Sequence, residues 1–384
     1  MNIGIFTVGR SDYGIWRPII QDLSKNKNLN LNLIVTGSHF SKKYGYTINE
    51  IKKDNFCNII YSKLPNAYDQ DSPLSSSIVI SKISLGVGRI LKTNKFDLIL
   101  LLGDRYETAS LANIITLFSI PIMHFHGGSI TEGSFDDNYR HAISKLSNFH
   151  MVETNSCKNR LVQMGEPKKN IKVIGAPSLS FLNRIKWKNF KYYSNEFKIK
   201  KKNYIILTLH PETNSNKKYN INMVNSTIKA LKDYKGKVII TAPNADPNNN
   251  YIMKKYNLLM KNNQINKYIF REHLGHENYF NLLRYCEFVI GNSSSGIIES
   301  ASFKIPAINI GNRQKNREFN NNVIHAKTNY QSIAKAINSA IKMSSTKKLK
   351  KLKNIYFKKN YSATLTKFIK NIKFPISSKK FIDL

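Results

Sequence analysis

Short apolar runs alternate with longer segments of helical period along the first half of the chain. The apolar runs predict strands at residues 3–8, 31–36, 98–102, 120–126 and 151–154. Between them, apolar positions three or four residues apart predict helices at residues 15–24, 76–91, 108–118, 138–148 and 157–164. Because residues 98–102 are aliphatic at every position, helices are expected to cover both faces of that strand. The pattern indicates a doubly wound parallel α/β sheet.

The same alternation starts again in the second half, after a stretch rich in Lys, Asn and Tyr that ends at residue 203. Strands are predicted at 204–209, 237–242, 288–291 and 307–310, and a further helix at 330–342. We therefore predict two domains, residues 1–175 and 204–345, with a linker at 176–203 and a basic segment at 346–384 that could pack back on the first domain. Ligands of such sheets bind beyond the carboxyl ends of the strands, so we expect the active site in the cleft between the domains.

Composition adds one unusual feature, a strongly positive charge. Of the 384 residues, 41% are hydrophobic and 11% aromatic, enough apolar surface for folded domains. The 60 Lys and Arg residues against 24 Asp and Glu give a net charge of +36, as in nucleic-acid-binding or membrane-surface proteins. The basic residues are spread over the whole chain with abundant Asn and Ile, so we interpret them as solvated surface lysines. The Lys-rich run at 347–353 predicts a basic surface helix that could contact anionic lipid or a partner.

Cysteine spacing and the N-terminal pattern bear on the compartment. Cys57, Cys157 and Cys286 lie far apart without a C-x-x-C pair, which favours a reduced cytoplasm over a disulfide framework. The first residues predict a strand rather than a basic-then-apolar leader, and the longest apolar stretch is too short to cross a bilayer. We expect a cytoplasmic protein with no stable membrane insertion.

Polar side chains follow two predicted strands of the first domain. Gly103-Asp104-Arg105-Tyr106-Glu107 places a carboxylate beside a guanidinium, which suits acid/base chemistry next to a bound anion, with a structural ion pair as the alternative. His124-Phe125-His126-Gly127-Gly128 puts two histidines on one strand face, so a metal site must be considered. No third ligand stands at a fixed spacing, and the glycine pair favours close approach of a substrate to the backbone. A loop with Asp136 and Asp137 follows.

The second domain carries a turn of small residues, Gly291-Asn292-Ser293-Ser294-Ser295-Gly296-Ile297-Ile298-Glu299. Its N–H groups and hydroxyls could hold a pyrophosphate and Glu299 could accept ribose hydroxyls, whereas an ordinary N-capped helix is the alternative. His210, at the end of a strand just before Pro211, is a candidate acid/base group or phosphate contact. Residues 9–14 lack both the G-x-G-x-x-G spacing and a phosphate-binding Lys, so no nicotinamide or ATP site is expected.

These segments, in this order, resemble the hydrolysing UDP-N-acetylglucosamine 2-epimerases of sialic acid biosynthesis and their relatives in the legionaminic acid pathway. The resemblance runs over nearly the whole chain, through residues 9–14, 35–39, 103–107, 124–128, 136–141, 210–213, 244–246, 291–299, 309–314 and 379–384. The sequence departs from the family pattern at His126, Ser129 and Asn312, where an acidic residue is usual or frequent.

The resemblance implies two Rossmann-like domains arranged as in GT-B glycosyltransferases, with no metal or other cofactor. It implies that a base removes the C2 proton as UDP leaves C1, and that water adds to the resulting 2-acetamidoglucal. The implied proton-transfer groups are Asp104, His126 and Asp136, and His210 is both a catalytic candidate and a UDP contact. The implied substrate-binding residues are Arg10, Asp12, His39, Arg105, Asn244, Ser293, Ser294, Ser295, Gly296, Glu299 and Arg313. A homo-oligomer, either a dimer or a tetramer, is also implied.

Three alternatives stay open beside UDP-N-acetylglucosamine as the substrate. The same reaction on UDP-2,4-diacetamido-2,4,6-trideoxyglucose would lead toward legionaminic acid. A GT-B glycosyltransferase would use the same pyrophosphate turn but would require an acceptor. A nucleic-acid-binding protein is the third alternative, and the dispersed charge without a recognisable binding module argues against it.

Overall fold

Parallel sheets organise the chain into two units. Unit 1 comprises Met1–Ser129, Asp136–Phe181 and Tyr356–Leu384, and unit 2 comprises Ile130–Phe135 and Leu182–Ile355. The computed structural model describes residues 1–42, 46–63, 72–180, 182–244, 249–261, 267–374, 379–380 and 382. Two of the family motifs lie partly outside the described residues. These are residues 245–246 of the motif 244–246, and residues 381, 383 and 384 of the motif 379–384.

Unit 1 is built on a seven-stranded sheet in the order β3-β2-β1-β4-β5-β6-β7, with every pairing parallel. Its strands are β1 Asn2–Thr7, β2 Asn30–Val35, β3 Asn58–Tyr61, β4 Leu98–Leu102, β5 Ile122–Phe125, β6 Phe149–Val152 and β7 Ile171–Val173. In register, Ile5 lies opposite both Leu33 and Leu100, and all three are buried. All five positions of β4 are also buried, on both faces of the sheet, and a doubly wound fold covers both faces with helices.

Among the described residues of unit 1, six helices connect these strands. They are α1 Arg10–Leu23, α2 Ile48–Asp54, α3 Pro73–Thr93, α4 Tyr106–Leu117, α5 Asp136–Leu146 and α6 Asn155–Gln163. In the part of the chain that the structure describes, α3 alone is long and apolar enough to cross a membrane by length and composition. Its Val79, Ile83 and Val87 are buried, so one side of the helix packs on the unit.

Unit 2 repeats the architecture with six parallel strands in the order β10-β9-β8-β11-β12-β13. Its strands are β8 Tyr204–Thr208, β9 Lys237–Thr241, β10 Tyr268–Arg271, β11 Val289–Gly291, β12 Ala307–Ile310 and β13 Val323–Ala326. Its helices are α7 Phe190–Phe197, α8 Lys217–Leu231, α9 Asn249–Lys261, α10 His276–Leu283, α11 Ser294–Ile298, α12 Tyr330–Ser344 and α13 Lys347–Lys350. The predicted fold class, two parallel α/β domains, is confirmed.

The last helix, α14 Tyr361–Lys370, belongs to unit 1, where Leu365 and Ile369 join the core around Trp16. The stretch 176–203, predicted as a linker, contains α7, whose Tyr193 and Phe197 are buried. Helix α7 is therefore anchored by aromatic side chains, and the abundance of Lys and Asn around them explains why the stretch was predicted as a linker.

Several predicted boundaries were wrong for local reasons. Helix α1 begins at Arg10 rather than at residue 15, because the Asp12 carboxylate accepts the N–H groups of Val8 and Gly9 at 2.8 and 2.9 Å. Strand β6 ends at Val152 rather than at residue 154, because Thr154 caps α6 by accepting the Cys157 N–H. The basic helix predicted over 347–353 ends at Lys350.

Candidate functional site

An anchored arginine holds the strand-end carboxylate of unit 1. Asp104 follows β4, and its carboxylate pairs with the guanidinium of Arg140, on the first turns of α5. Arg140 is 1% exposed and also contacts the Asp137 carboxylate at 2.7 Å and the Ser129 carbonyl at 3.1 Å. The Asp104 side chain keeps 29% of its surface exposed. The arginine therefore fixes a carboxylate that remains partly exposed at the end of the sheet.

His126, just beyond β5, is held in a strained conformation against a buried acid. Its φ of +72° is in the left-handed region, which non-glycine residues rarely adopt. Its Nδ1 lies 3.0 Å from a carboxylate oxygen of the fully buried Glu153, at ion-pair distance but without hydrogen-bond alignment. Its Nε2 is buried and has no hydrogen-bond partner among the described residues. An imidazole beside a carboxylate is an arrangement that proton-transfer sites use, and here the imidazole lies just beyond a strand end.

His124, two residues earlier, has a different environment. It is fully buried, with Nε2 2.8 Å from the Gly103 carbonyl and Nδ1 3.1 Å from the Ser144 hydroxyl. Burial lowers the pKa of His124 to about 3, so the ring is neutral. This histidine ties the Gly103 turn to α5. Among the described residues, no group of three or more His, Cys, Asp or Glu side chains could hold a metal ion.

Asp12 and His39 support the turn that carries Arg10. Asp12 accepts hydrogen bonds from Val8 N, Gly9 N and Thr7 Oγ1, and burial raises its pKa to about 6. His39 is fully buried, and its two ring nitrogens each lie 2.8 Å from a threonine hydroxyl, those of Thr7 and Thr47. Burial lowers the pKa of His39 to about 3. These hydrogen bonds all lie inside unit 1.

Arg105 and Asp136 stand at the starts of helices in unit 1. Arg105 precedes α4 and pairs through Nε with the buried Glu107 carboxylate at 3.0 Å. Its side chain is 19% exposed. Asp136 is the first residue of α5 and is buried. The structural ion pair considered for the 103–107 motif is thus present, with Glu107 as the partner of Arg105.

In unit 2, hydrogen bonds orient His210 and its ring. The Asn244 N–H donates to His210 Nδ1 at 3.0 Å, so the neutral ring carries its proton on Nε2. The Asn292 side chain accepts the His210 N–H at 2.7 Å and donates to the His210 carbonyl at 2.8 Å. The structure brings the predicted residues His210 and Asn244 together, and the contact fixes the orientation of the imidazole ring.

The serine turn after β11 is an N-capped helix start, the alternative considered from its sequence. Ser293 caps α11 by accepting the Ser295 N–H at 3.4 Å. Ser295 donates to the Glu299 carboxylate at 2.7 Å and contacts the Tyr279 hydroxyl. Gly291 begins the turn with a φ of +139°, and a Cβ there would overlap the Thr208 carbonyl. Only glycine fits this approach to β8.

A family profile decides the relationship of the chain. The profile described as UDP-N-acetylglucosamine 2-epimerase matches residues 21–370. This chain belongs to the UDP-N-acetylglucosamine 2-epimerase family. The resemblance drawn from the motifs is therefore confirmed.

Individual members of the 2-epimerase family agree with this assignment. The GDP/UDP-N,N'-diacetylbacillosamine 2-epimerase (hydrolyzing) of Campylobacter jejuni is 35% identical over 333 residues, which cover 85% of this chain and 84% of that one. The UDP-N,N'-diacetylbacillosamine 2-epimerase (hydrolyzing) of Legionella pneumophila is 33% identical, with 88% of each chain covered. The solved structure of the Methanocaldococcus jannaschii UDP-GlcNAc 2-epimerase, in complex with UDP-GlcNAc and UDP, has a TM-score of 0.80 at 20% identity and covers 96% of this chain and 99% of that one.

Two residues of this 2-epimerase family member were missed as site candidates although both lie inside its motifs. Asn292 is fully buried, and its carbonyl accepts hydrogen bonds from Gln314 at 3.2 Å and Arg313 at 3.5 Å. It therefore joins the His210 and Arg313 loops. Arg140, the second missed residue, pairs with the Asp104 carboxylate. Position directly after a strand end would have indicated Asn292, whereas no local pattern indicates that Arg140 reaches Asp104.

The segment Ile130–Phe135 lies between two stretches of unit 1 in the sequence, but it belongs to unit 2. Glu132 pairs with Lys315 at 3.0 Å, and the Phe135 N–H donates to Thr213. A Cβ on Gly133 would overlap the backbone of Asn312 and Arg313. The segment therefore packs against the loop that carries Arg313, at a point where only glycine allows the approach.

Proposed function

We propose that this chain is a hydrolysing 2-epimerase that converts UDP-N-acetylglucosamine and water into N-acetylmannosamine and UDP. The observation that carries the proposal is the Asp104 carboxylate, held by the buried Arg140 at the strand end of a family member. The C2–H bond and the C1–O bond to UDP break, giving a 2-acetamidoglucal. Water then supplies the hydroxyl at C1 and a proton to C2 from the opposite face. Electrons balance without a redox cofactor.

We assign the proton transfers to Asp104, His126 and Asp136. Asp104 is the C2 base in this proposal, because its carboxylate is oriented by Arg140 yet still accessible. His126, at ion-pair distance from Glu153, is the group that returns a proton. Asp136 lies buried at the start of α5, the helix that carries Arg140, and completes the set.

We assign UDP to the donors around the unit 2 strand ends. In this proposal His210 and Arg313 bind the diphosphate, Ser293 and Ser294 add hydroxyl donors, and Glu299 accepts hydrogen bonds from the ribose hydroxyls. Hydrogen bonds from preorganised donors stabilise the departing diphosphate as charge develops on it. Further UDP or sugar contacts in the proposal come from Arg10, Arg105, Asn244, Ser295 and Gly296. Asp12 and His39 serve in it by holding the Arg10 turn.

A second substrate is favoured by a specific observation. The Campylobacter and Legionella relatives at 35% and 33% identity are both named for diacetylbacillosamine, a 2,4-diacetamido-6-deoxy sugar. Turnover of each UDP-sugar by the purified chain, measured as UDP release without an added acceptor, tests the proposal. A kcat/KM that is higher for UDP-N-acetylglucosamine supports the first substrate, and the reverse order supports the second. UDP release that requires an acceptor would indicate a glycosyltransferase.

The cellular setting of the proposal is cytoplasmic biosynthesis of a surface glycan by a homo-oligomer. Nucleotide sugars are substrates of the cell interior, and Cys57, Cys157 and Cys286 are all free thiols. Light scattering of the purified chain would give the oligomeric state, a dimer or a tetramer in this proposal.

A further inference from the structure

Lys379, close to the end of the chain, closes the C-terminal end of α5. Its ammonium group donates to the carbonyls of Ser144, Lys145 and Ser147 at 3.2, 2.7 and 2.8 Å. The last carbonyls of a helix lack intrahelical donors, and a cation there also complements the helix dipole. A single side chain from the C-terminal segment thus satisfies three acceptors at one helix end.

A buried acid holds that lysine in place. The Glu166 carboxylate forms ion pairs with Lys379 at 2.7 Å and with Lys145 at 3.0 Å, and it lies 2.9 Å from His150 Nε2; its side chain is fully buried. Burial alone raises the pKa of Glu166, but the hydrogen bonds from His150 and Lys379 lower it to about 2. The carboxylate is therefore charged, which favours a fixed position for the ammonium group. The neighbouring Lys380 is exposed.

The opposite part of the same helix organises the proposed base. Arg140, on α5, pairs with Asp104 and with Asp137. Helix α5 is only eleven residues long, so a shift of the helix along its axis moves Arg140 together with the C-terminal end that Lys379 contacts.

A second series of contacts runs from the same end of α5. Ser144 accepts Lys379 through its carbonyl, and its hydroxyl lies 3.1 Å from His124 Nδ1. His124 Nε2 lies 2.8 Å from the Gly103 carbonyl, directly before Asp104. Lys379 is therefore connected to the Asp104 turn both through the helix and through a buried histidine.

We propose that Lys379 is a positioning residue that fixes α5 and thereby aligns Arg140 and the Asp104 carboxylate for proton abstraction. The inference rests on the proposed function. Without the ammonium group, three carbonyls and the Glu166 carboxylate lose a donor, and the helix end relaxes toward other partners. Small displacements of a base reduce the rate of the chemical step more than they reduce ground-state binding.

The variant Lys379→Met, which keeps the apolar stem, is compared with Lys380→Met as a matched control. Using the UDP-sugar that the wild type turns over, kcat of Lys379→Met should fall about tenfold to a hundredfold, as expected for a misplaced catalytic group. Its KM and its UDP dissociation constant should stay within about twofold of the wild type, because the proposed effect lies on the proton-transfer step. Lys380→Met should match the wild type. Normal kcat in folded Lys379→Met, or an equal loss with Lys380→Met, overturns the positioning role.

Amide hydrogen exchange of α5 gives a readout that does not depend on activity. Exchange of residues 136–146 should be at least about tenfold faster in Lys379→Met than in Lys380→Met, since the helix end has lost its donors. Unchanged protection of α5 refutes the inference, even if every UDP-sugar proves inert. Inertness would instead refute the proposed function. If Lys379→Met does not fold, Lys379→Gln replaces it, because glutamine retains an N–H donor. This variant should show smaller losses of kcat and of α5 protection. A kcat and a protection of α5 equal to those of the wild type in Lys379→Gln would contradict the inference.

Discussion

At the residue scale, one ion pair carries most of the proposed chemistry. Arg140 is buried, and its contacts include Asp104, Asp137 and the Ser129 carbonyl. A guanidinium so constrained cannot follow a moving carboxylate, so the Asp104 side chain has a defined direction. The sequence indicated Asp104 by its place after an aliphatic strand. It could not indicate Arg140 as its partner, because that contact joins residues far apart in the chain.

Asp104→Asn should abolish most turnover while UDP binding survives. The amide keeps the shape of the side chain but cannot accept the C2 proton, so kcat should fall by about a hundredfold to ten-thousandfold. Calorimetric titration with UDP should give an affinity within about twofold of the wild type. Asp233→Asn, a change on an exposed acid of unit 2, serves as the control. Near-normal kcat in Asp104→Asn would remove this residue from the proton-transfer step.

Buried His39 makes unit 1 sensitive to acid. Burial lowers the pKa of His39 from 6.5 to about 3. Below pH 6.5 this histidine is therefore protonated in the unfolded chain and neutral in the folded chain. The resulting stability is present above pH 6.5 and is lost as the pH falls toward 3. Over this range the free energy of unfolding falls by about 1.4 kcal/mol for each pH unit.

His39→Asn should remove that contribution. Between pH 6 and pH 4, the free energy of unfolding of the variant should fall less steeply than that of the wild type, by about 1.4 kcal/mol per pH unit. Urea unfolding is followed by tryptophan fluorescence in a Trp187→Phe background, so that the signal comes from Trp16, which is fully buried in the unit 1 core. Parallel slopes for the two proteins would show that His39 is protonated in the folded state.

At the element scale, the periodic pattern predicts the buried elements and fails at the edges. The predicted bounds of β4 and β12 match the structure, because every position in those strands is buried. The four edge strands β3, β7, β10 and β13 were missed, since each has three or four residues and is only partly buried. Too few apolar positions then separate a strand from a loop. Helix α7 was missed in the same way, within a polar composition.

Two glycines of unit 1 should respond to alanine in opposite directions. Gly128 has a φ of +73°, and a Cβ there would overlap the Cys157 carbonyl, so Gly128→Ala should destabilise unit 1 by about 2 kcal/mol or more. Gly88 lies within α3, where a Cβ would meet no described atom within 4 Å beyond its chain neighbours and the backbone of the helix itself, so Gly88→Ala should stabilise the unit by about 0.5–1 kcal/mol. Urea unfolding followed by Trp16 fluorescence measures both. Equal effects would contradict the backbone geometry at Gly128.

At the scale of the whole molecule, the residues of the proposed reaction are divided between two parallel sheets, which have the same order over six strands and differ by one additional strand in unit 1. Unit 1 holds the acid/base candidates, and unit 2 holds His210, Asn292 and Arg313 in one hydrogen-bonded set. The fold class and the family followed from alternation and motif order along the sequence. The internal roles of Asp12, His39 and His124 did not, because a buried support and a ligand contact share the same position after a strand.

The fate of the C2 proton decides whether the proposed chemistry takes place, and proton NMR in deuterated water follows that proton. Purified chain is incubated with UDP-N-acetylglucosamine, and separately with the 2,4-diacetamido analogue, while the sugar signals are recorded. We expect UDP together with a free sugar of inverted C2 configuration that carries deuterium at C2, and no such product with Asp104→Asn. A released sugar that retains its original C2 proton, or UDP release only after an acceptor is added, would contradict the proposed reaction.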